Sequence, residues 1–242
     1  MLKLLGTFVI ISMSRIAFIS DIHGNYPALL SVLRDVDEKG ISEIYCIGDL
    51  VGYYCQINEV INEIRNRNIQ CIIGNHDYAL VHNAGVIDRS RTCTNVLSKQ
   101  LEYIDATNYR FLESLSDNLL IEVGNNKIMA VHGGLNNYVD EYLPELSVDY
   151  FANVDKSITH IVTAHNHKTM VGDFGNIHYA NAGSVGQPRD YNPQSSYVIF
   201  DNGEFSIVRV SYPIEETIER MKEYGFPDYI ADVLKRGCKI GE

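Results

Sequence analysis

Five short segments of the sequence carry side chains of the types that bind divalent metal ions. Each one follows a run of apolar residues, and together they combine aspartate, histidine and asparagine. In chain order they are Asp21-Ile22-His23, Gly48-Asp49, Gly74-Asn75-His76-Asp77, His132-Gly133-Gly134 and His165-Asn166-His167. Oxygen and imidazole ligands without thiolate suit Mn first, with Fe, Zn and Ni as alternatives. The set predicts two divalent metal ions that share one carboxylate, a centre suited to attack on phosphorus.

The spacing within the segments indicates how they could present these ligands. Asp21 and His23 are two residues apart, so on an extended segment both side chains point to the same side. Asp49 follows a glycine at the predicted tip of a strand, and the two oxygens of its carboxylate can bridge two cations. Asn75 offers a neutral carbonyl oxygen as a further ligand.

Strands and helices alternate over the first part of the chain. Three short runs of β-forming residues and two runs with helical spacing follow one another, namely Ile16–Ser20, Pro27–Glu38, Ile44–Ile47, Asn58–Arg67 and Ile69–Ile73. Right-handed crossovers make such a sheet parallel. Ligands bind at the carboxyl ends of strands in open α/β sheets, and each of these strands ends at a motif. The sequence therefore predicts a ligand-binding site at the edge of the sheet where these strands have their carboxyl ends.

The second part of the chain is richer in strands. Leu119–Val123 and Ile128–Val131 are predicted to form a hairpin that ends at His132. Another predicted strand, Ile158–Thr163, leads to His165. A parallel first half followed by a strand-rich second half predicts an α/β fold with two packed mixed β-sheets flanked by α-helices.

The chain is predicted to form a single domain. Residues 13–242 are assigned to it, with a helical insert at about 78–118 and C-terminal helices at about 214–236. Residues 1–12 are expected to be an extension outside the core, because their apolar run is too short to span a bilayer and lacks a typical cleavage pattern. Translation from Met13 is the alternative.

The charge balance argues against one broad class of partner. Twenty basic residues stand against 31 acidic ones, which gives a formal net charge of −11. Affinity for duplex nucleic acid depends on neutralising phosphates, so we expect no nucleic-acid duplex as a partner. The sequence predicts no membrane span, and five cysteines without a CxxC spacing are typical of thiols in a reducing cytosol. We therefore expect a cytoplasmic protein that acts on a small phosphorylated substrate.

Taken in order, the five segments resemble the sequence blocks of the metallophosphoesterase (calcineurin-like phosphoesterase) superfamily, over roughly residues 15–200. Asp21-Ile22-His23-Gly24-Asn25 and the stretch from Asn181 to Arg189 further resemble its small bacterial and archaeal phosphodiesterase branch. That branch is similar to cyclic-nucleotide phosphodiesterases and to hydrolases of diadenosine polyphosphates. The resemblance implies a four-layer α/β/β/α sandwich and a dinuclear phosphoesterase in which a metal-bound hydroxide attacks phosphorus in line.

The resemblance also implies a role for each matching residue. The first metal ion would be held by Asp21, His23 and His167. The second would be held by Asn75, His132 and His165, with Asp49 as the bridge. The catalytic residues would be His76, acting on the leaving oxygen as an acid or as a stabiliser of charge, and Asp77, which would orient it.

Residues near the predicted centre are candidates for holding the substrate. A substrate-binding role is predicted for Asn25, Tyr53, Ser184 and Arg189. The glycine-rich stretch 183–186 could bind phosphate through its backbone N–H groups or form only a tight turn. Tyr53 could stack on a base or only cap the cleft.

Two stretches depart from the family pattern. The last block reads Ala164-His165-Asn166-His167 where the family commonly has Gly-His-Thr-His, which keeps both ligands but changes the loop around them. The loop after Asp49 lacks the proline-rich turn of many relatives. The family resemblance therefore does not predict which substrate this loop selects.

The predicted function is hydrolysis of a small phosphodiester or nucleotide, with a diadenosine polyphosphate as the leading specific choice. The alternatives are a phosphoprotein phosphatase and a non-catalytic metal- or nucleotide-binding scaffold of the same fold. A scaffolding relative of this fold in a retromer subunit lacks the histidine of the Gly-Asn-His-Asp block. This chain has that histidine, His76, so catalysis is favoured.

Overall fold

The computed structural model describes residues 8–11, 15–82, 91–143 and 145–242. The strands within those ranges are β1 (Phe8–Ile11), β2 (Ile16–Ile19), β3 (Glu43–Cys46), β4 (Gln70–Cys71), β5 (Asn118–Val123), β6 (Asn126–Val131), β7 (His160–Thr163), β8 (Thr169–Phe174), β9 (Ile177–Ala182), β10 (Ser195–Asp201) and β11 (Glu204–Val210). The α-helices are α1 (Tyr26–Glu38), α2 (Ile57–Asn66), α3 (Asn75–His82), α4 (Arg91–Leu101), α5 (Ala106–Glu113), α6 (Ile214–Glu223) and α7 (Asp228–Asp232). Two short 3₁₀ helices span Val148–Phe151 and Val233–Lys235.

The smaller sheet has the strand order β11-β10-β2-β3-β4. Its strands β2, β3 and β4 are parallel and are joined by α1 and α2, as the alternating sequence pattern predicts. Strand β10 then runs antiparallel to β2, and β11 completes the sheet as its hairpin partner. Helix α1 packs on this sheet through Leu29, Leu33 and Val36, which recur at helical spacing and are fully buried.

The larger sheet has the order β1-β5-β6-β7-β9-β8. Strands β5 and β6 form the predicted hairpin, and β6, β7 and β9 are parallel to one another. Strand β8 was not predicted from the sequence. All six of its residues are half-buried or exposed, so it lacks the run of buried apolar residues that marks strands such as β2, β7 and β10.

The core has one layer between the two sheets and another between the smaller sheet and the helices. Side chains alternate along β2, so that Ile16 and Phe18 face the larger sheet while Ala17 and Ile19 face the helices. Residues of both sheets fill the layer between them, and full burial of one such side chain is worth about 1.5–3 kcal/mol. The predicted fold class, two packed mixed sheets flanked by helices, is confirmed.

The N-terminal strand differs from the expectation for residues 1–12. Strand β1 pairs in parallel with β5, from Phe8 opposite Leu120 to Ile11 opposite Val123. Four β-forming residues there cover what would otherwise be the hydrogen-bonding edge of the larger sheet. The remaining residues of that segment lie outside the described residues.

The predicted helical regions are present with shifted bounds. Helices α3, α4 and α5 occupy the described parts of the insert predicted at 78–118, and residues 83–90 of it lie outside the described residues. Helices α6 and α7 account for the predicted C-terminal helices. Within the described residues, no helix combines the length and the hydropathy needed to cross a bilayer.

Candidate metal centre

The predicted metal ligands come together where several strands end. Asp21 and His23 follow β2, Asp49 follows β3, and His132 follows β6. The described residues contain three groups whose possible ligand atoms lie within 4.8 Å of one another. These groups are Asp21 with His23 and His167, His23 with Asp49 and His76, and Asp49 with His132 and His165. Asn75 adjoins the last group, since its Oδ1 lies 3.1 Å from His132 Nε2.

Each of the two aspartates has one oxygen bound to the backbone and one oxygen left over. Asp21 Oδ2 accepts from the backbone N–H of His165 at 3.1 Å, and Asp49 Oδ1 accepts from the backbone N–H of His76 at 2.8 Å. The second oxygens, Asp21 Oδ1 and Asp49 Oδ2, are buried without a hydrogen-bond partner. Such a buried oxygen is costly unless a cation binds it. The two carboxylates therefore fit metal ligation.

Three histidines are oriented in the same way by the backbone. Nδ1 of His23 contacts the carbonyl of Val51 at 2.7 Å. Nδ1 of His132 and of His167 makes the same kind of contact, at 2.8 and 2.6 Å. A carbonyl can only accept, so Nδ1 carries the proton and the lone pair is on Nε2. Outer hydrogen bonds of this kind fix metal-binding histidines in proteins.

The free nitrogens of these rings point at the free aspartate oxygens. Asp21 Oδ1 lies 3.1 Å from His167 Nε2 and 3.6 Å from His23 Nε2. Asp49 Oδ2 lies 3.4 Å from His132 Nε2 and 3.6 Å from His23 Nε2. His23 Nε2 and His167 Nε2 also face each other at 3.2 Å. Lone pairs that converge in this way require positive charge between them.

The electrostatics of the cluster lead to the same conclusion. Burial disfavours the charged carboxylate of Asp49, but His132 and His76 outweigh that effect and hold its pKa well below the usual range. Burial alone would lower the pKa of His132, whereas the Asp49 and Asp21 carboxylates raise it to about 10. Burial lowers the pKa of His167 to about 4, helped by Arg189. The carboxylates thus favour positive charge within the cluster, which a bound cation would supply.

The backbone of the ligand loops is strained. Five of the predicted ligands have a positive φ, namely Asp21 (50°), His23 (52°), Asp49 (57°), His165 (69°) and His167 (60°). Such conformations cost about 1–3 kcal/mol each for residues other than glycine and persist only where the surroundings enforce them. Close packing does so here, because a Cβ added at Gly74 would collide with the Asp49 carboxylate.

Asp77 holds the loops together rather than orienting His76. Its two carboxylate oxygens accept four backbone N–H groups, from Asp49, Leu50, Val51 and Gly74, at 2.8–3.1 Å. Burial and the nearby Asp49 carboxylate raise its pKa to about 7 in spite of these donors. The described contacts of the carboxylate therefore differ from the role that the family resemblance implies.

His76 lies at the inner wall of the site. Its ring packs against those of His23 and Tyr53, with centroids 4.7 and 4.9 Å away. Cys93 Sγ of α4 lies 3.6 Å from His76 Nδ1. Burial lowers the pKa of His76 well below its ordinary value. This position suits either an acid beside the reacting phosphate or a ligand near Asp49.

A cavity of about 300 Å³ opens over the centre. It is lined by Asp49, Tyr53, Asn75, His76, Thr92, Cys93, Tyr142, His165, His167, Arg189, Lys239 and Ile240. Of the four predicted substrate residues, Tyr53 and Arg189 lie in this cavity. The Arg189 guanidinium sits over the Tyr53 ring at 5.3 Å and bonds the side chain of Gln187.

The other two predicted substrate residues have structural contacts instead. Asn25 is fully buried, caps α1 through the N–H of Ala28, and accepts from Thr217. Ser184 is also fully buried and donates to the backbone carbonyl of Asp21. Both side chains are fully buried and neither lines the cavity, so the expected contact with substrate is corrected.

The glycine-rich stretch 183–186 is a tight turn. Its four backbone N–H groups, which could have bound phosphate, all donate within the protein. The acceptors are the Asn181 side chain, the Ser196 hydroxyl and the carbonyls of Ser20 and Asp21. The turn therefore ties the β9–β10 connection to the Asp21 loop and leaves none of these donors for a ligand.

Several residues of the site carried no recognisable signal in the sequence. Gln100 of α4 is fully buried and accepts from the N–H of Gly52 at 2.9 Å, while its amide bonds the carbonyls of Gly52 and Tyr54. It fixes the loop that carries Tyr53. Tyr142 and Lys239 reach the cavity from segments whose folding back onto the site no local pattern indicates.

Comparison with known proteins agrees with this geometry. The sequence profile of the calcineurin-like phosphoesterase superfamily domain matches residues 14–204. An uncharacterised protein of Methanocaldococcus jannaschii is 33% identical over 243 residues, covering 93% of this chain and 98% of that protein. The crystal structure of a metallophosphoesterase from Sphaerobacter thermophilus is similar with a TM-score of 0.77 and 26% identity, covering 93% of this chain and 99% of that one.

A hypothetical protein from Pyrococcus horikoshii shares the fold, with a TM-score of 0.84 and 22% identity over 94% of this chain and 100% of that one. The ligand cluster, the two-sheet fold and the matched sequence profile all agree. The chain belongs to the calcineurin-like phosphoesterase superfamily and is a metal-dependent phosphoesterase.

Proposed function

We propose that this phosphoesterase uses two divalent metal ions, Mn²⁺ first among them, to hydrolyse a small phosphodiester or nucleotide. The observation that carries the proposal is the pair of buried carboxylate oxygens without partners, on Asp21 and Asp49, each facing two imidazole nitrogens. One cation beside each oxygen would satisfy both. Asp49 belongs to two of the three ligand groups, which supports its role as the bridge.

The protein side of the mechanism follows from the contacts of the residues. Asp21, His23 and His167 would hold one ion, and Asn75, His132 and His165 the other. When bound, such a pair of ions activates water and neutralises charge on the phosphoryl oxygens. The backbone carbonyls that bind three of the histidines keep the free nitrogens aimed inward, so little reorganisation is needed when substrate arrives.

His76 is proposed to act on the leaving oxygen. It lines the cavity together with Asp49, and its ring is held by aromatic contacts on two sides. A positioned histidine there can donate a proton or stabilise negative charge as the ester bond breaks. Asp77 supports this site through the loops that it binds.

The size and lining of the cavity favour a small substrate. About 300 Å³ suits a nucleotide fragment, and the lining combines a cation, Arg189, with the aromatic rings of Tyr53 and Tyr142. Rings can stack on a base, and a guanidinium binds phosphate. A dinucleoside polyphosphate remains the leading choice. The net charge of −11 favours small ligands over nucleic-acid duplexes.

The test is metal-dependent turnover of a simple diester. Protein stripped of metal and reloaded with Mn²⁺ should hydrolyse bis-p-nitrophenyl phosphate faster than p-nitrophenyl phosphate, with two equivalents of metal bound. Asp49→Asn should abolish this turnover, whereas the control Asp173→Asn, which changes an exposed aspartate on β8, should not. Two bound equivalents without turnover of any phosphoester would refute catalysis and favour a binding role.

A further inference from the structure

One wall of the cavity comes from the C-terminal end of the chain. Lys239 and Ile240 line the cavity beside Arg189 and Tyr53. Both lie beyond residue 204, where the match to the family profile ends. This wall therefore lies outside the part of the chain that the superfamily profile matches.

The course of this segment is fixed just before Lys239. The backbone N–H of Tyr191 donates to the carbonyl of Gly237 at 2.8 Å. Gly237 has a φ of 58°, and a Cβ at this position would lie 2.5 Å from the carbonyl of Asn192. The segment thus packs directly on the loop that follows Arg189.

The segment is also anchored just after Lys239. Ile240 packs against a buried cluster that includes Tyr54, Phe226, Ile230 and Leu234. Tyr53 packs against the same cluster. The cluster therefore links the C-terminal wall to the loop that faces His76, and Lys239 is held between two fixed points.

The charges of this wall are uncompensated. Among the ion pairs of lysine and arginine side chains within the described residues, none involves Lys239 or Arg189. Asp49 is the one carboxylate among the described residues that line the cavity. By contrast, the nearby Lys235 pairs with Glu215 at 2.7 Å. In a chain with 31 acidic and 20 basic residues, two cationic side chains that line one cavity without an ion-pair partner indicate an anionic ligand.

We propose that Lys239 and Arg189 together bind a second phosphoryl group of the substrate, adjacent to the one that reacts at the metal centre. Lys239 is then a specificity-determining residue that favours substrates with a chain of phosphates over single phosphoesters. The inference rests on the proposed function, because the reacting phosphate must lie at the metal ligands.

The test compares two ligands that differ by one phosphoryl group. AMP and ADP are titrated calorimetrically into Mn²⁺-loaded protein in excess Mn²⁺, with metal content determined on each sample. The wild type should bind ADP more tightly than AMP by about fivefold, the size expected for one partly exposed charge pair. Lys239→Gln should lose that preference, and Lys239→Arg should keep it.

The matched control is Lys235→Gln, which removes a lysine of the same C-terminal region that lies outside the cavity lining. It should retain the preference for ADP. An unchanged ADP-to-AMP ratio in Lys239→Gln, or a wild type that binds both ligands equally, would overturn the proposal. Raising the salt concentration should weaken ADP binding more in the wild type than in Lys239→Gln.

A kinetic comparison separates this proposal from the function on which it rests. Lys239→Gln should lower kcat/KM for diadenosine tetraphosphate about fivefold more than for bis-p-nitrophenyl phosphate. Equal effects on both substrates, with metal-dependent turnover intact, would overturn the role of Lys239 and leave the phosphoesterase activity standing. Two bound metal ions without turnover of either substrate would instead refute the proposed function, and the AMP and ADP titrations would still decide the role of Lys239.

Discussion

The metal-binding side of this site and its substrate-facing side are built by different means. The ligands follow strand ends, and six of the seven are at least 95% buried, with oxygens and nitrogens fixed by backbone hydrogen bonds. The opposite side consists of Tyr53, Tyr142, Arg189 and the C-terminal wall, whose side chains are half-buried or exposed. The first side therefore belongs to the core, whereas the second can vary without disturbing it.

The largest expected effect is on turnover when His76 is replaced. His76→Asn should lower kcat by about 10²–10⁴-fold, as expected for loss of a positioned general acid, while two equivalents of metal remain bound. Steady-state rates and metal analysis on the same sample check this. His178→Asn, which changes a partly exposed histidine on β9, is the control. Loss of one metal equivalent would instead identify His76 as a metal ligand and assign it to the metal-binding side of the site.

A second prediction concerns stability on the metal-binding side. Asp77→Ala should lower the free energy of unfolding of the metal-free protein by about 3 kcal/mol, because four buried backbone N–H groups lose their acceptor. Urea unfolding measures this change. Asp173→Ala should have little effect, since that side chain is exposed. A loss below about 1 kcal/mol would mean that water replaces the carboxylate easily.

A third prediction contrasts one residue from each side. Arg189→Gln should raise KM for a nucleotide substrate about tenfold, because a charge-assisted contact to phosphate is lost. Ser184→Ala should leave KM unchanged and lower the unfolding free energy by about 1 kcal/mol, since its hydroxyl bonds the Asp21 carbonyl and the Gln187 N–H. Kinetics and urea unfolding of both variants check this. If Ser184→Ala raised KM and Arg189→Gln lowered only the unfolding free energy, the distinction between the metal-binding and substrate-facing sides would be lost.

The smallest expected effect lies far from the site, at His160. Burial lowers the pKa of this histidine from its ordinary 6.5, so the folded protein favours the neutral ring, which bonds the Gly203 carbonyl. Its contribution to stability is present above pH 6.5 and is lost as the pH falls below that value. Unfolding free energies measured between pH 7.5 and about 5 should therefore fall less in His160→Gln than in the wild type. If the unfolding free energy fell equally with pH in both proteins, other titrating groups would account for the pH dependence.

The sequence was sufficient to predict which side chains meet in this cluster, because each predicted ligand lies where an apolar, strand-forming run ends. Asp21, Asp49 and His132 carry that signal within a few residues of chain. Asn25 and Ser184 were misread because they neighbour the motifs, while the contacts that decide their roles come from Thr217 and from the Asp21 backbone, far along the chain. Gln100 and Lys239 were missed for the same reason, since no local pattern indicates where their segments pack.

The positive φ angles of five ligand residues restrict how this centre can change. Among residues other than glycine, asparagine, aspartate and histidine adopt the left-handed conformation most readily. Positions 21, 23, 49, 165 and 167 therefore admit few side chains that are both able to bind metal and compatible with the backbone. Replacing one of them by cysteine or glutamate, to favour a softer or harder metal, would carry a backbone penalty in addition to any change in coordination. The metal preference of this centre is consequently easier to alter through the residues around the ligands than through the ligands themselves.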